Sequence, residues 1–107
     1  MKIASEYSDG RLTVYLAGEL DHHSAKMAVS GIAEGIDRYL PRDLVLDLTQ
    51  LGFMDSSGVG LILGRQRCAR SLGGTLRIQH APEQLRRVLR LAGIPCADEP
   101  GREEQEE

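Results

Sequence analysis

Phe53-Met54-Asp55-Ser56-Ser57-Gly58-Val59-Gly60 decides how this chain folds. Before it lies Leu44-Val45-Leu46-Asp47-Leu48, an apolar run of strand length. After it, Leu61-Ile62-Leu63-Gly64-Arg65 reads as the opening turns of a helix. Asp55, Ser56 and Ser57 carry side-chain oxygens able to accept bonds from the first N–H groups of that helix, which have no intrahelical partner. One such cap is worth about 1 kcal/mol. Two hydroxyls and a carboxylate in a row exceed that need. A hydroxyl at a helix N-terminus also sits where backbone donors and the helix dipole accommodate a phosphate. The junction is therefore the candidate functional site.

Outward from it, strands and helices alternate. Residues 2–7 and 11–17 flank the turn Ser8-Asp9-Gly10, and Leu12, Val14 and Leu16 keep the period of a half-buried strand. Residues 18–23 are polar and loop-like. A helix follows in which Ala25, Ala28, Val29, Ile32, Ile36 and Tyr39 form one apolar stripe, ended by Pro41. Gly31 and Gly35 each weaken it by roughly 1 kcal/mol relative to alanine, so packing must hold it. The strand at 43–48 is apolar enough to be covered on both faces. The helix of the junction, from about Ser57 to Leu72, stops at Gly73-Gly74. Residues 75–78 alternate as a strand, and Pro82 opens a last helix with Leu85, Val88, Leu89 and Ala92 on its buried face and Gly93 at its end. From Pro95 onward the sequence turns acidic, and a solvated, disordered tail is expected over 95–107.

The order ββαβαβα predicts an α/β domain over residues 1–94. Its sheet is mostly parallel, with the first strand attached antiparallel through a hairpin and helices packed on the sheet. Residues 49–58 then lie at the carboxyl end of a central strand, the edge where such sheets bind partners, with the loop 18–23 beside them.

Charge is unevenly spread. Residues 1–64 hold 5 basic and 9 acidic side chains, residues 65–90 seven arginines against Glu83, and residues 91–107 Arg102 against six acids. The basic block can steer an acidic partner. No aromatic residue is interleaved among Arg65, Arg67, Arg70, Arg86, Arg87 and Arg90, so a solvated helix face is expected, with protein docking second and no nucleic-acid partner expected. Cys68 and Cys96 lie in no metal or redox spacing and read as reduced thiols of a cytoplasmic protein. The N-terminal residues have no signal core, and no apolar run is long enough to span a membrane.

Enzymatic motifs fail on single residues. A G-x-S-x-G elbow needs glycine at 55 or 54, where the chain has Asp55 and Met54. Asp21, His22 and Ser56 do not make a triad, because sequence neighbours rarely place the carboxylate on the imidazole. The glycines from Gly58 to Gly64 fall one position out of register for a dinucleotide loop, and there is no P-loop lysine. Gly60 and Gly64, one turn apart, are expected instead where the helix lies close to the sheet. Asp21, His22 and His23 have no second ligand cluster, so no metal and no cofactor is expected; the alternative is a helix start capped by Asp21 or Ser24. Val59, Leu61, Ile62 and Leu63 crowd the helix circumference, and one or two should lie at the surface beside the serines unless a neighbouring loop covers them. An exposed apolar residue beside a phosphorylatable hydroxyl suits a phosphorylation-gated protein interface.

Two segments, Gly18-Glu19-Leu20-Asp21-His22-His23 and Phe53 to Arg65, resemble the sporulation anti-sigma-factor antagonists, a branch of the STAS domains. The likeness runs from about residue 3 to 94. It implies a non-enzymatic switch that binds an anti-sigma factor with serine-kinase activity and releases the sigma factor. Ser56 would be phosphorylated by that kinase and restored by a PP2C-type phosphatase. Asp21, His22, His23, Asp55, Ser57, Gly58, Val59 and Leu61 would contact the partner, ATP and ADP would belong to the kinase, and the free protein would be a monomer. The alternative is a STAS module that senses a small ligand or nucleotide. Members of the family continue past the last helix with another strand; here Pro95-Cys96-Ala97 leads into acid, so four strands are expected, or five if that edge forms.

Overall fold

The computed structural model describes residues 1–94 and Cys96. The elements are β1 (Lys2–Ser8), β2 (Arg11–Leu20), α1 (Ala25–Tyr39), β3 (Asp43–Met54), α2 (Ser56–Ser71), β4 (Thr75–Gln79) and α3 (Glu83–Leu91). The sheet order is β1-β2-β3-β4, antiparallel between β1 and β2 and parallel thereafter. Asp9 and Gly10 both take positive φ in the β1–β2 turn, the geometry that matches a two-residue hairpin to strand twist. Cys96 adds one parallel bridge to Ile78 on the outer edge of β4 and is fully buried, the only trace of a fifth strand among the described residues. The remainder of the acidic tail falls outside the described residues.

Alternation puts Leu12, Val14 and Leu16 of β2, Leu44, Leu46 and Leu48 of β3, and Leu76 and Ile78 of β4 on one face. Ala28 and Ile32 of α1, Leu61 and Ile62 of α2, and Leu85 and Leu89 of α3 join them in one core. The other face is not covered by a helix layer, contrary to the expectation for β3. Val45 stands apart from the core, and its neighbours on that face, Thr13, Tyr15, Arg77 and Gln79, are half-buried or exposed. Apolar runs in a central strand arise here because flanking strands, not helices, shield Val45 and Asp47.

Asp47 marks where β3 parts from β4. Its Oδ1 accepts the Thr49 N–H at 2.9 Å and its Oδ2 accepts from Gln79 Nε2 at 2.8 Å. Burial pushes its carboxyl up, but the hydroxyl and N–H of Thr49, the Gln79 amide and nearby His80 outweigh that and hold it below the usual range. Helix ends are closed as the glycines predict. The N–H groups of Gly73 and Gly74 reach Arg70 and Ala69 carbonyls, and those of Gly93 and Ile94 reach Arg90 and Leu89, two Schellman motifs.

Candidate functional site

β2 and β3 both outrun β4. Their pairing continues through Ala17↔Gln50, Gly18↔Leu51, Glu19↔Phe53 and Leu20↔Met54, with register shifts after Tyr15 and after Gly18. Residues 18–20 are thus strand and not loop, and β3 reaches six residues past Leu48. The shifts are bulges, which bend a strand and re-aim its side chains. The two strand ends carry the two candidate segments side by side. The Asp55 N–H donates to the Leu20 carbonyl at 3.3 Å, tying the junction to the residue before Asp21.

Asp55 is the N-cap of α2. Its backbone is extended and its Oδ1 accepts the N–H of Ser57 at 2.9 Å and of Gly58 at 3.3 Å. That leaves Ser56 as the first helical residue, exposed, with Ser57 half-buried behind it. Asp21 does the same work at the turn entering α1. Its Oδ1 accepts the N–H of His23 and of Ser24, both at 3.0 Å, while the Asp21 N–H donates to Ser24 Oγ at 3.0 Å. This reciprocal pair is a capping box with serine in the usual place of glutamate. The Ser24 N–H, helped by the Ser24 hydroxyl, the His23 N–H and the His23 charge, holds the Asp21 carboxyl below its usual range. His22 and His23 are exposed, and no group of three or more potential ligands gathers for a metal among the described residues.

Gly58 explains why the helix can start so close to the sheet. A Cβ there would lie 2.5 Å from Met54 Cγ and 2.8 Å from the Leu20 carbonyl oxygen. Gly60 and Gly64 do not serve that purpose: a Cβ at either meets nothing within 4 Å. They lie on the part of α2 turned from the sheet, correcting the expectation of close approach. Two residues expected at the partner surface are also relocated. Leu61 is only 8% exposed and belongs to the core, because the apolar stripe of α2 runs through Leu61 and Ile62. Gly58 is buried and shapes the site from beneath. Val59 and Leu63 are half-buried, so the expected apolar fringe beside Ser56 is partial.

Exposed apolar surface comes instead from Phe53, at 48%, and from Met27 of α1, at 55%. Met27, Glu19, Asp21 and His23 line one shallow depression beside the β2 end. No periodicity signals Met27, and Phe53 is turned outward only by the extension of β3. Among the described residues the site therefore offers an exposed hydroxyl at a helix start, acidic side chains on both flanks, and apolar patches at its margins.

Comparison with known proteins gives the same frame. The STAS domain family model matches residues 2–99. The anti-sigma F factor antagonist of Paenibacillus polymyxa is 38% identical over 94 residues, covering 88% of this chain and 80% of that protein. That of Lysinibacillus sphaericus is 34% identical over 83 residues, covering 78% and 71%. Among solved structures, unphosphorylated SpoIIAA superimposes with a TM-score of 0.73 at 28% identity, over 98% of this chain and 96% of its own. Phosphorylated SpoIIAA from Bacillus gives 0.71 at 27% identity, over 99% and 100%. The chain belongs to the STAS domain family and, within it, to the anti-sigma-factor antagonists of the SpoIIAA type.

Proposed function

We propose that this protein is a phosphorylation-gated antagonist of an anti-sigma factor that is itself a serine kinase, acting in sporulation transcription. Unphosphorylated, it binds that partner and frees the sigma factor; phosphorylation of Ser56 by the partner ends binding, and a PP2C-type phosphatase restores it. The observation that carries this reading is the exposed Ser56 at the first position of α2, next to the capping carboxylate of Asp55 and joined through Leu20 to Asp21. Asp21, His22, His23, Asp55, Ser57 and Val59 frame the docking surface, with Phe53 and Met27 as apolar contacts.

The gate is electrostatic. A phosphate adds about −1.5 to −2 charges and three acceptor oxygens. At a helix N-terminus it gains about 0.3–1 kcal/mol, so the carrier keeps its fold. SpoIIAA, solved with and without its phosphate, fits this chain nearly equally well in both forms, which supports that part. Burying the dianion against a partner beside Asp55 costs several kcal/mol unless cations match it. That cost is a hundredfold or more in affinity. Incubation with the cognate kinase and ATP, followed by mass spectrometry, tests the assignment. A single phosphate on Ser56 is expected; label on Ser57 alone, or none, contradicts it. Purified phosphoprotein should bind the kinase at least a hundredfold more weakly than unmodified protein.

A further inference from the structure

α2 spans roughly 24 Å from Ser56 to its far end, at about 1.5 Å per residue. At that far end, on the opposite edge of the sheet, two leucines stand in water. Leu40, at the end of α1, is 78% exposed and Leu72, at the end of α2, is 79% exposed. Leu40 also holds φ at +48°, a left-handed conformation unfavourable for a residue that carries a Cβ. Between them opens a cavity of about 230 Å³ walled by Ile36, Leu44, Ala69 and Cys68. Its charged lining residues are Arg65 and Arg42; Thr75 also lines it, with its hydroxyl donating to Asp43 Oδ1 at 2.7 Å. The Arg42 guanidinium is turned toward the β1–β2 turn, where a Cβ on Gly10 would lie 3.0 Å from its Nε. Arg65, half-buried, is therefore the cation available to an occupant. The cavity lies at the C-terminal ends of α1 and α2, where the N–H groups of Leu40, Gly74 and Gly73 take the carbonyls of Ile36, Ala69 and Arg70, and Arg65 is the cation that offsets the negative helix ends.

We propose that this cavity binds a small anionic amphiphile, a medium-chain carboxylate whose tail lies between Leu40 and Leu72 and whose head meets Arg65. An apolar pocket with one placed charge is the usual build of a small-molecule site. The space exceeds the ~150 Å³ apolar cavity that accepts benzene, and a chain of about eight carbons suits it. The site goes beyond the Ser56 switch and shares none of its residues.

Cys68 gives the readout, because its thiol is exposed in the cavity wall whereas Cys96 is buried. The full chain is alkylated with iodoacetamide in the presence of sodium octanoate below its self-association concentration, and the rate at Cys68 is followed by mass spectrometry. Octanoate should slow alkylation saturably, and Arg65→Gln should raise the half-protecting concentration about tenfold. Leu72→Ser, at an exposed rim position that the core does not need, should weaken protection as well. An unchanged rate with octanoate overturns the proposal. Equal protection by 1-octanol, or protection untouched by Arg65→Gln, overturns it too, since recognition of the charged head would then be absent.

Discussion

Gly58→Ala and Gly60→Ala make the same chemical change two residues apart in α2, and the structure predicts opposite signs. At Gly60 a Cβ meets nothing within 4 Å, so the substitution keeps only its helix-propensity gain of about 1 kcal/mol. At Gly58 the same gain is opposed by contacts of 2.5 Å to Met54 Cγ, 2.8 Å to the Leu20 carbonyl oxygen and 3.0 Å to Leu20 Cγ. The methionine can rotate away, but the carbonyl belongs to the backbone of β2 and accepts the Asp55 N–H, so relief means moving the helix start. Overpacking of this kind costs about 1–3 kcal/mol, and a backbone obstacle places it at the upper end. The net expectation is a loss of about 2 kcal/mol for Gly58→Ala. For a domain of this size that is a fall in Tm of roughly 8–16 °C, against a rise of about 4–8 °C for Gly60→Ala. Urea unfolding followed by circular dichroism measures both. Gly58→Ala at or above wild-type stability would refute the reasoning, because no other part of the site then explains a glycine there.

Other substitutions test single contacts. Asp55→Ala should cost about 1 kcal/mol by removing the acceptor of the Ser57 and Gly58 N–H groups, with Asp55→Asn recovering most of it; urea midpoints report both. Leu40→Gly should stabilise by about 1 kcal/mol, since the left-handed residue loses its steric cost and little buried surface. The carboxyls of Asp21, Asp43 and Asp47 are all held below their usual range, Asp43 chiefly by the Thr75 hydroxyl. The unfolded chain therefore binds protons first as pH falls. Their stabilisation is complete above the ordinary carboxylate range near pH 4 and is lost as pH drops through the depressed folded values. Asp47→Asn should flatten that acid limb in denaturation measured from pH 6 downward.

What could be read from residues alone followed from period and punctuation. Leu12, Val14 and Leu16 alternate, the stripe of α1 repeats at helical spacing, and Gly73 and Gly93 stop their helices, so the element order and sheet direction were legible. The extensions of β2 and β3 were not. Gly18, Glu19, Thr49, Gln50 and Gly52 read as loop because they are polar or small, yet all lie in strands: Gly18, Glu19 and Gln50 pair, and Thr49 and Gly52 fall at the two register shifts, which no periodicity reveals. The junction was recognisable as a cap, and Ser56 does lie exposed at the helix start. Which glycine lies against the sheet was not legible, since that depends on the height of α2 above Leu20, a tertiary distance. The same holds for Leu61, expected among the partner contacts and drawn inside by the direction of the stripe.

β4 stops pairing at Asp47 and β1 at Ala17, so from Gly18 onward the sheet is two strands wide, and the turn bearing Ser56 stands on that narrow pier. Leu20, Leu51 and Met54 turn inward from it and join the one core, while Gly52 and Phe53 face water. The outward residues of the pier can drift toward new binding preferences while its inward ones hold the fold, a division that lets one scaffold diversify its partners without unfolding on the way.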